Sequence, residues 1–256
     1  MNILVTNDDG ITAPGLLALA QEMRKLGEVF IIAPDRNWSA SGHVKTMHRP
    51  LRVKEVKLSD GTIGLASDGA PSDCVALAML GILPEEIDLV VSGINPNANI
   101  GHDVTYSGTV TAAMEAMIWG KKGIAVSLDS PENHLGVLDY QPAATYAGKV
   151  VRRVMKNGLP ENTILNVNVP GLPFEEIKGF KITRQGLRVY RDQLIKREDP
   201  RGLPYYWIGG DPPTGVKESG TDFGSLKDGF VSVTPLQLDL TNRSASEQIA
   251  SWDWNG

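Results

Sequence analysis

The chain has 256 residues, of which 41% are apolar, enough to bury one substantial core with a smaller appendage beside it. Its net charge is -5, from 25 basic and 30 acidic residues, and no run of Lys or Arg is longer than two residues. This charge pattern argues against a surface that binds a nucleic-acid polymer. A small acidic substrate stays compatible with it, because a bound cation can supply the missing positive charge.

Cysteine content and hydropathy indicate the compartment. Cys74 is the single cysteine, which excludes an intrachain disulfide and a cysteine-rich zinc site and indicates a reducing environment. The sequence starts at Met1 without the basic and long apolar regions of an export signal. No stretch reaches the roughly 18 consecutive apolar residues that a membrane helix needs. We therefore expect a cytoplasmic protein without a membrane anchor.

Short apolar runs alternate with segments of helical periodicity up to about residue 170. The runs predict strands at residues 2–6, 29–33, 89–91, 124–126 and 164–167. The periodic segments predict one helix that begins at Pro14 and others at about residues 72–81, 109–119 and 141–156. This alternation is typical of a sheet covered by helices on both faces. We predict an α/β fold with a Rossmann-like, doubly wound, mostly parallel sheet.

Two regions depart from this alternation. Residues 49–66 hold two β-type runs around Ser59-Asp60-Gly61, which predicts an antiparallel hairpin insertion. After residue 170 the periodicity weakens, and residues 205–207 are Tyr-Tyr-Trp. These aromatic side chains suit a subunit interface or padding of the core equally well. We predict an α/β core over residues 1–170 and a C-terminal extension over residues 171–256.

The loop after the first strand is the first candidate site, because ligands of open α/β sheets bind beyond the carboxyl ends of the strands. It reads Asn7-Asp8-Asp9-Gly10. Two adjacent carboxylates repel each other unless a cation lies beside them. A turn combined with a helix cap explains the same four residues equally well.

Two further loops follow predicted strands. Residues 35–42 are small and polar, and an ordinary surface loop is the alternative for them. Residues 92–103 lead to Tyr106-Ser107-Gly108-Thr109-Val110 and an Ala-rich helix. Small and amide residues before a helix N-terminus favour an anion site, because free backbone N–H groups and the helix dipole attract phosphate. A plain helix cap at Thr109 is the alternative.

Several common site motifs are absent from the sequence. It has no GxGxxG after the first strand, no GxxxxGK[ST] and no GxSxG, which argues against dinucleotide binding, P-loop chemistry and a serine hydrolase. The four histidines lack HExxH spacing, which argues against a zinc site. Cys74 lies in an apolar helix and is interpreted as a small core side chain.

A set of motifs in fixed order resembles the SurE family, the survival-protein-E nucleotidases. The matching segments are residues 7–10, 33–37 with Ser39, 69–75, 92–95, 106–110, 166–170, 183–186, 199–202 and 231–236. They span nearly the whole chain, and several motifs in order are far more specific than any one of them.

This resemblance implies a metal-dependent phosphatase that hydrolyses nucleoside 5′- and 3′-monophosphates, with residues 1–170 as its catalytic core. It implies one divalent cation per subunit, held by the residues at positions Asp8, Asp9, Ser39 and Asn95. Oxygen donors of this kind suit hard Mg²⁺ or Mn²⁺. The resemblance also implies a homodimer or homotetramer in which the C-terminal extension is exchanged or packed between subunits.

The expected reaction uses these residues in distinct roles. Asp8 and Asp9 are the expected catalytic pair, and Ser107, Gly108 and Thr109 are expected to hold the phosphate oxygens. Asp8 acts either as a general base toward water or as a nucleophile that forms an aspartyl-phosphate, and the sequence leaves both open.

Two other functions fit the sequence. One is a phosphatase for polyphosphate or other small phosphate esters, such as sugar phosphates. The other is a non-catalytic nucleotide-binding protein, although unshielded carboxylates at Asp8 and Asp9 repel phosphate unless a metal intervenes. The expected partner is a nucleoside monophosphate, and neither a nucleic-acid polymer nor a membrane is expected.

Overall fold

The computed structural model describes residues 1–131, 134 and 136–254, apart from the side chains of residues 211 and 212. Strands and helices alternate up to residue 170. The strands are β1 (Asn2–Thr6), β2 (Glu28–Pro34), β3 (Val53–Lys57), β4 (Ile63–Ser67), β5 (Leu89–Asn95), β6 (Lys122–Asp129) and β7 (Ile164–Pro170). The helices are α1 (Pro14–Met23), α2 (Pro71–Leu77), which continues into a π-helical turn (Ala78–Ile82), α3 (Gly108–Ile118) and α4 (Gln141–Asn157).

The region after residue 170 adds strands and two helices. Its elements are β8 (Phe180–Ile182), β9 (Arg188–Glu198), β10 (Pro204–Gly215), α5 (Asp222–Lys227), β11 (Val231–Leu236) and α6 (Arg243–Ala250). Short 3-10 helices lie at Gly101–Thr105 and Phe174–Glu176.

In the described part of the chain, nine strands form one sheet in the order β3-β4-β2-β1-β5-β6-β7-β11-β8. The run from β4 to β7 is parallel throughout. Strands β3 and β4 form the predicted antiparallel hairpin, and β4 also pairs in parallel with β2. The predicted mostly parallel α/β fold is confirmed.

The two faces of the sheet carry separate cores because strand side chains alternate between faces. Ile3 and Val5 of β1 point to one face, where α1 and α4 pack. Leu4 points to the other face, where α2 and α3 pack. Cys74 lies in this second core, as the sequence predicted. Helices therefore cover both faces of the sheet.

Two strands of the main sheet, β8 and β11, come from the region after residue 170 that the sequence predicted as a C-terminal extension. Strand β11 pairs antiparallel with β7, and β8 pairs in parallel with β11. Strands β9 and β10 form a separate antiparallel ribbon. The division into residues 1–170 and 171–256, and a role of the second part in oligomerisation, stay predictions. No helix in the described residues is both long and apolar enough to cross a membrane.

Candidate metal and phosphate site

The candidate site lies where the strand order of the sheet reverses. The chain passes from β1 to β2 on one side, and β5 pairs with β1 on the other. Thr6 at the end of β1 is aligned with Ser92 of β5. Asp8, Asp9 and Asn95 follow these partners by at most three residues, so they lie at the same edge of two adjacent parallel strands.

The turn after β1 is closed by its own amide side chain. Asn7 Nδ2 donates to the Gly10 carbonyl at 3.1 Å, and Gly10 N donates to Asn7 Oδ1 at 3.1 Å. Gly10 has a φ of 105°, which favours glycine. Asn7 and Gly10 therefore make the turn and present the two carboxylates between them. The helix-cap alternative is wrong for α1, whose N-cap residue Ala13 makes no side-chain capping bond.

The Asp8 carboxylate joins this turn to the start of α3. Asp8 is only 3% exposed, and its Oδ1 accepts a 2.5 Å hydrogen bond from Thr109 Oγ1. A Cβ at Gly108 would lie 2.8 Å from Asp8 Cβ, so only glycine allows this approach. Burial raises the pKa of Asp8, while the Thr109 hydroxyl and the backbone N–H groups of Thr109 and Gly108 lower it.

Asp9 adds a second, half-buried carboxyl group. Burial raises its pKa to about 7, and the negative charge of Asp8 adds to this shift. No cationic side chain among the described residues compensates either carboxylate. Two neighbouring carboxylates shielded from water without a counter-charge form an environment that a divalent cation stabilises.

The loop after β2 is held against this site through its backbone. Trp38 N donates to the Asp8 carbonyl at 2.7 Å, which places Ser39 next to the turn after β1. Ser39 N donates to Asn37 Oδ1 at 2.8 Å, and the Ser39 side chain stays exposed. Gly42 N donates to the Tyr106 carbonyl at 2.9 Å, so the same loop also contacts the segment before α3.

Asn95 ends β5 with its amide nitrogen engaged. Its Nδ2 donates to the Asn97 carbonyl at 2.5 Å, and no described residue donates to its Oδ1. The oxygen is therefore the atom that this side chain offers to a ligand. Within the described residues no three His, Cys, Asp or Glu side chains cluster. A cation here would depend on two carboxylates and neutral oxygen donors, a set that suits Mg²⁺ or Mn²⁺.

The predicted phosphate-binding residues form the start of α3. Ser107 is the N-cap, and its Oγ accepts from Val110 N at 3.1 Å, so Thr109 as the cap is wrong. The Ser107 hydroxyl keeps its own proton to donate to an anion. The Thr109 hydroxyl donates to Asp8 instead. The structure therefore brings Asp8 and Thr109 into direct contact, and the phosphate and metal roles stay predictions.

Two residues at this edge were missed by the sequence prediction. A Cβ at Gly15 of α1 would lie 2.3 Å from the Ile94 carbonyl and 3.0 Å from Tyr140 Cε1, so glycine lets α1 reach the end of β5. Tyr140, which precedes α4, is buried, and burial and the charge of Asp9 raise its pKa. Its only signal in the sequence is an aromatic residue before a helix, which is too common to be informative.

Comparisons with known proteins agree with the motifs. The family model of survival protein SurE matches residues 3–192. The 5′-nucleotidase SurE of Herpetosiphon aurantiacus is 51% identical over 255 residues, covering 100% of this chain and 99% of that protein. The 5′-nucleotidase SurE of Geobacter sulfurreducens is 51% identical over 253 residues, covering 99% and 94%.

The fold agrees as well. The crystal structure of the SurE protein from Aquifex aeolicus superimposes with a TM-score of 0.82 at 42% sequence identity, covering 97% of this chain and 98% of that chain. The resemblance inferred from the motifs is confirmed, and the chain belongs to the SurE family.

Proposed function

We propose that this protein is a metal-dependent phosphatase that hydrolyses nucleoside 5′- and 3′-monophosphates to nucleoside and phosphate. Relatives that match the whole chain are named 5′-nucleotidase SurE. The observation that carries the proposal is the shielded pair Asp8 and Asp9 beside the N-terminus of α3. A pair of carboxylates attracts a cation, and a helix N-terminus attracts an anion, so together they suit a phosphate ester with its counter-ion.

The residues that would hold the cation are Asp8, Asp9, Ser39 and Asn95. Each offers an oxygen atom. Burial raises the pKa of both carboxyl groups, and the charge of Asp8 raises that of Asp9 further. We propose one Mg²⁺ or Mn²⁺ per subunit at this place. When bound, such a cation neutralises phosphoryl charge and helps to orient the attacking water.

The other steps fall to residues of the protein. The Ser107 hydroxyl binds a phosphoryl oxygen of the substrate and keeps this contact as negative charge develops on it. The backbone N–H groups of Gly108 and Thr109, which hydrogen-bond Asp8, are shared between that carboxylate and the phosphate. The Thr109 hydroxyl fixes Asp8 Oδ1, which leaves Oδ2 to act. As a general base, Oδ2 takes a proton from water while the water oxygen bonds to phosphorus. The ester bond breaks on the opposite side, and the leaving sugar oxygen takes up a proton from solvent.

As a nucleophile, Asp8 Oδ2 instead bonds to phosphorus and expels the sugar oxygen, and water then hydrolyses the aspartyl-phosphate. Rapid acid quenching of a reaction with ³²P-labelled AMP distinguishes the two routes. Labelled protein supports the nucleophile, whereas unlabelled protein during turnover supports the general base.

We also propose that the protein is a cytoplasmic homodimer or homotetramer in which the β9–β10 ribbon packs between subunits. A lone two-stranded ribbon is marginally stable in water, so one with apolar surface favours a covering partner. Trp207 is 63% exposed and Ile208 is 83% exposed on this ribbon. Light scattering should give two or four times the 27.7 kDa mass of one chain, and a monomer at micromolar concentration would contradict the proposal.

The activity is tested by phosphate release from a substrate panel. The panel holds 5′- and 3′-nucleotides, sugar phosphates and polyphosphate, each with chelator and with single metals restored. We expect nucleotide hydrolysis that chelator abolishes and Mn²⁺ or Mg²⁺ restores. A clear preference for polyphosphate or sugar phosphates supports the alternative phosphatase. Tight AMP binding in Mn²⁺ without phosphate release supports a non-catalytic nucleotide-binding protein.

A further inference from the structure

The 3-10 helix at Gly101–Thr105 connects the β9–β10 ribbon to the candidate phosphate site. Asp103 in this helix accepts two hydrogen bonds from the start of β9. Arg188 Nε donates to Oδ2 at 2.6 Å, and the Tyr190 hydroxyl donates to Oδ1 at 2.5 Å. Both carboxylate oxygens of one residue are thereby engaged by the ribbon. We call Asp103, Arg188 and Tyr190 the ribbon clamp.

The clamp reaches both strands of the ribbon. Arg188 Nη1 also donates to the Pro213 carbonyl in β10 at 3.3 Å, so one guanidinium group links β9, β10 and Asp103. The Arg188 side chain is only 14% exposed. A charge-assisted hydrogen bond shielded in this way is stronger than an exposed ion pair.

The same 3-10 helix is held at its first residue. Gly101 N donates to Asp222 Oδ2 at 2.8 Å, and Gln185 Nε2 donates to the Gly101 carbonyl at 2.8 Å. A Cβ at Gly101 would lie 2.7 Å from the Gly186 carbonyl, so the backbones are in close approach. The segment before the phosphate site therefore depends on the C-terminal region for its position.

Only three residues separate Asp103 of the clamp from Ser107, the cap of α3. Tyr106 N donates to the Asp103 carbonyl at 3.0 Å, and Ser107 follows as the N-cap. The clamp holds the segment that orients the Ser107 hydroxyl. If Asp103 were released, residues 101–106 would gain freedom that phosphate binding would have to remove again, and this would weaken binding.

We propose that Asp103 is a positioning residue that couples the β9–β10 ribbon to phosphate binding at Ser107, through Arg188 and Tyr190. The inference rests on the proposed function, because its consequence is a change in affinity for a phosphate group. It assigns the ribbon a part in the site of its own chain, in addition to any contact with another subunit.

The test compares inhibition by inorganic phosphate and the kinetics of AMP hydrolysis at saturating Mn²⁺. The variants are Asp103→Asn and Tyr190→Phe, and Tyr205→Phe removes a tyrosine hydroxyl elsewhere on the ribbon as the matched control. We expect both clamp variants to raise the phosphate inhibition constant and KM roughly 3- to 30-fold, with kcat changed less than KM. The control should match the unmodified protein.

A double variant tests whether the two residues act together. If they form one clamp, Tyr190→Phe should add little in an Asp103→Ala background, where the Tyr190 hydroxyl has lost its acceptor at residue 103. Unchanged phosphate inhibition and KM in both clamp variants, with or without a lower Tm, would overturn the inference. If Asp103→Asn does not fold, Tyr190→Phe alone decides, since it removes a single hydrogen bond.

This experiment distinguishes a failure of the proposed phosphatase function from a failure of the proposed coupling through Asp103. An unmodified protein that hydrolyses AMP, with clamp variants indistinguishable from it, overturns only the coupling. An unmodified protein that neither hydrolyses AMP nor binds phosphate overturns the proposed function and the coupling with it.

Discussion

Replacing Thr109 with valine removes one hydroxyl from the site and keeps nearly the same side-chain volume. In the structure this hydroxyl donates to Asp8 Oδ1 at 2.5 Å, and both residues are buried. A hydrogen bond to a charged group contributes roughly 1.5 to 3 kcal/mol. Since about 1.4 kcal/mol corresponds to a factor of ten, we expect turnover or metal affinity to fall roughly 10- to 100-fold.

The assay is AMP hydrolysis across a Mn²⁺ titration, which gives kcat and the Mn²⁺ concentration at half-maximal activity. Thr109→Ser is the matched control, because it keeps Oγ and loses only a methyl group. We expect the serine variant to lie close to the unmodified protein and the valine variant to need more Mn²⁺. A valine variant with unchanged turnover and unchanged Mn²⁺ dependence would refute the role of Thr109 in holding Asp8. A change in KM alone would show that the hydroxyl binds phosphate instead.

Three further changes test other parts of the account. Asp9→Ala should lower turnover by several orders of magnitude with the circular dichroism spectrum unchanged, and near-normal activity would remove Asp9 from the site. Ser107→Ala should cost roughly 10²-fold in kcat/KM as the loss of one donor to the phosphoryl group, whereas an unchanged kcat/KM would assign phosphate binding to backbone groups. For Glu115, burial alone would raise the pKa, but hydrogen bonds from His43 and Trp119 help to lower it from 4.5 to about 2. The charged form is thus favoured in the folded state, so its stability contribution is complete above pH 4.5 and is lost as the pH falls toward 2. Urea titrations should show the free energy of unfolding fall by up to about 3 kcal/mol over this pH range, and Glu115→Gln should lack this fall. Equal acid sensitivity of the two proteins would contradict the prediction.

The sheet and the common edge of the candidate loops could be predicted from the sequence because the parallel strands are buried on both faces. Such strands read as short apolar runs, and β1 and β5 were recognised on this basis. The polar residues after them were then placed at one edge by the rule for open α/β sheets. Asp8 and Asp9 were singled out in this way, whereas Ser39 and Asn95 were named as metal ligands only through the resemblance to the SurE family.

The C-terminal strands were not predicted, for physical reasons that differ between elements. Strand β8 has only three residues, Phe180–Ile182, which is too short for a period to show. In the ribbon, most described side chains of β9 and β10 are exposed, so no face imposes an alternation of polar and apolar residues. The ribbon's register also shifts between Asp211 and Thr214, next to two prolines.

The contacts between site residues could not be predicted from the sequence, because they join segments that are far apart along the chain. Thr109 and Asp8 are 101 positions apart in the sequence. Their spacing therefore cannot show that the Thr109 hydroxyl contacts the Asp8 carboxylate. The contact of Asp103 with Arg188 across 85 positions was missed for the same reason. Local signals gave the turn at residues 7–10 but placed the cap of α3 at the wrong residue, and the sheet order decides which loops meet.

Manganese in the crystal tests the central claim most directly, because its anomalous signal locates the ion independently of activity. The account requires one peak per subunit with oxygen ligands from Asp8, Asp9, Ser39 and Asn95, and the loss of that peak in Asp8→Ala. A manganese peak elsewhere, or none at this edge in a crystal of protein that hydrolyses AMP with Mn²⁺, would contradict it.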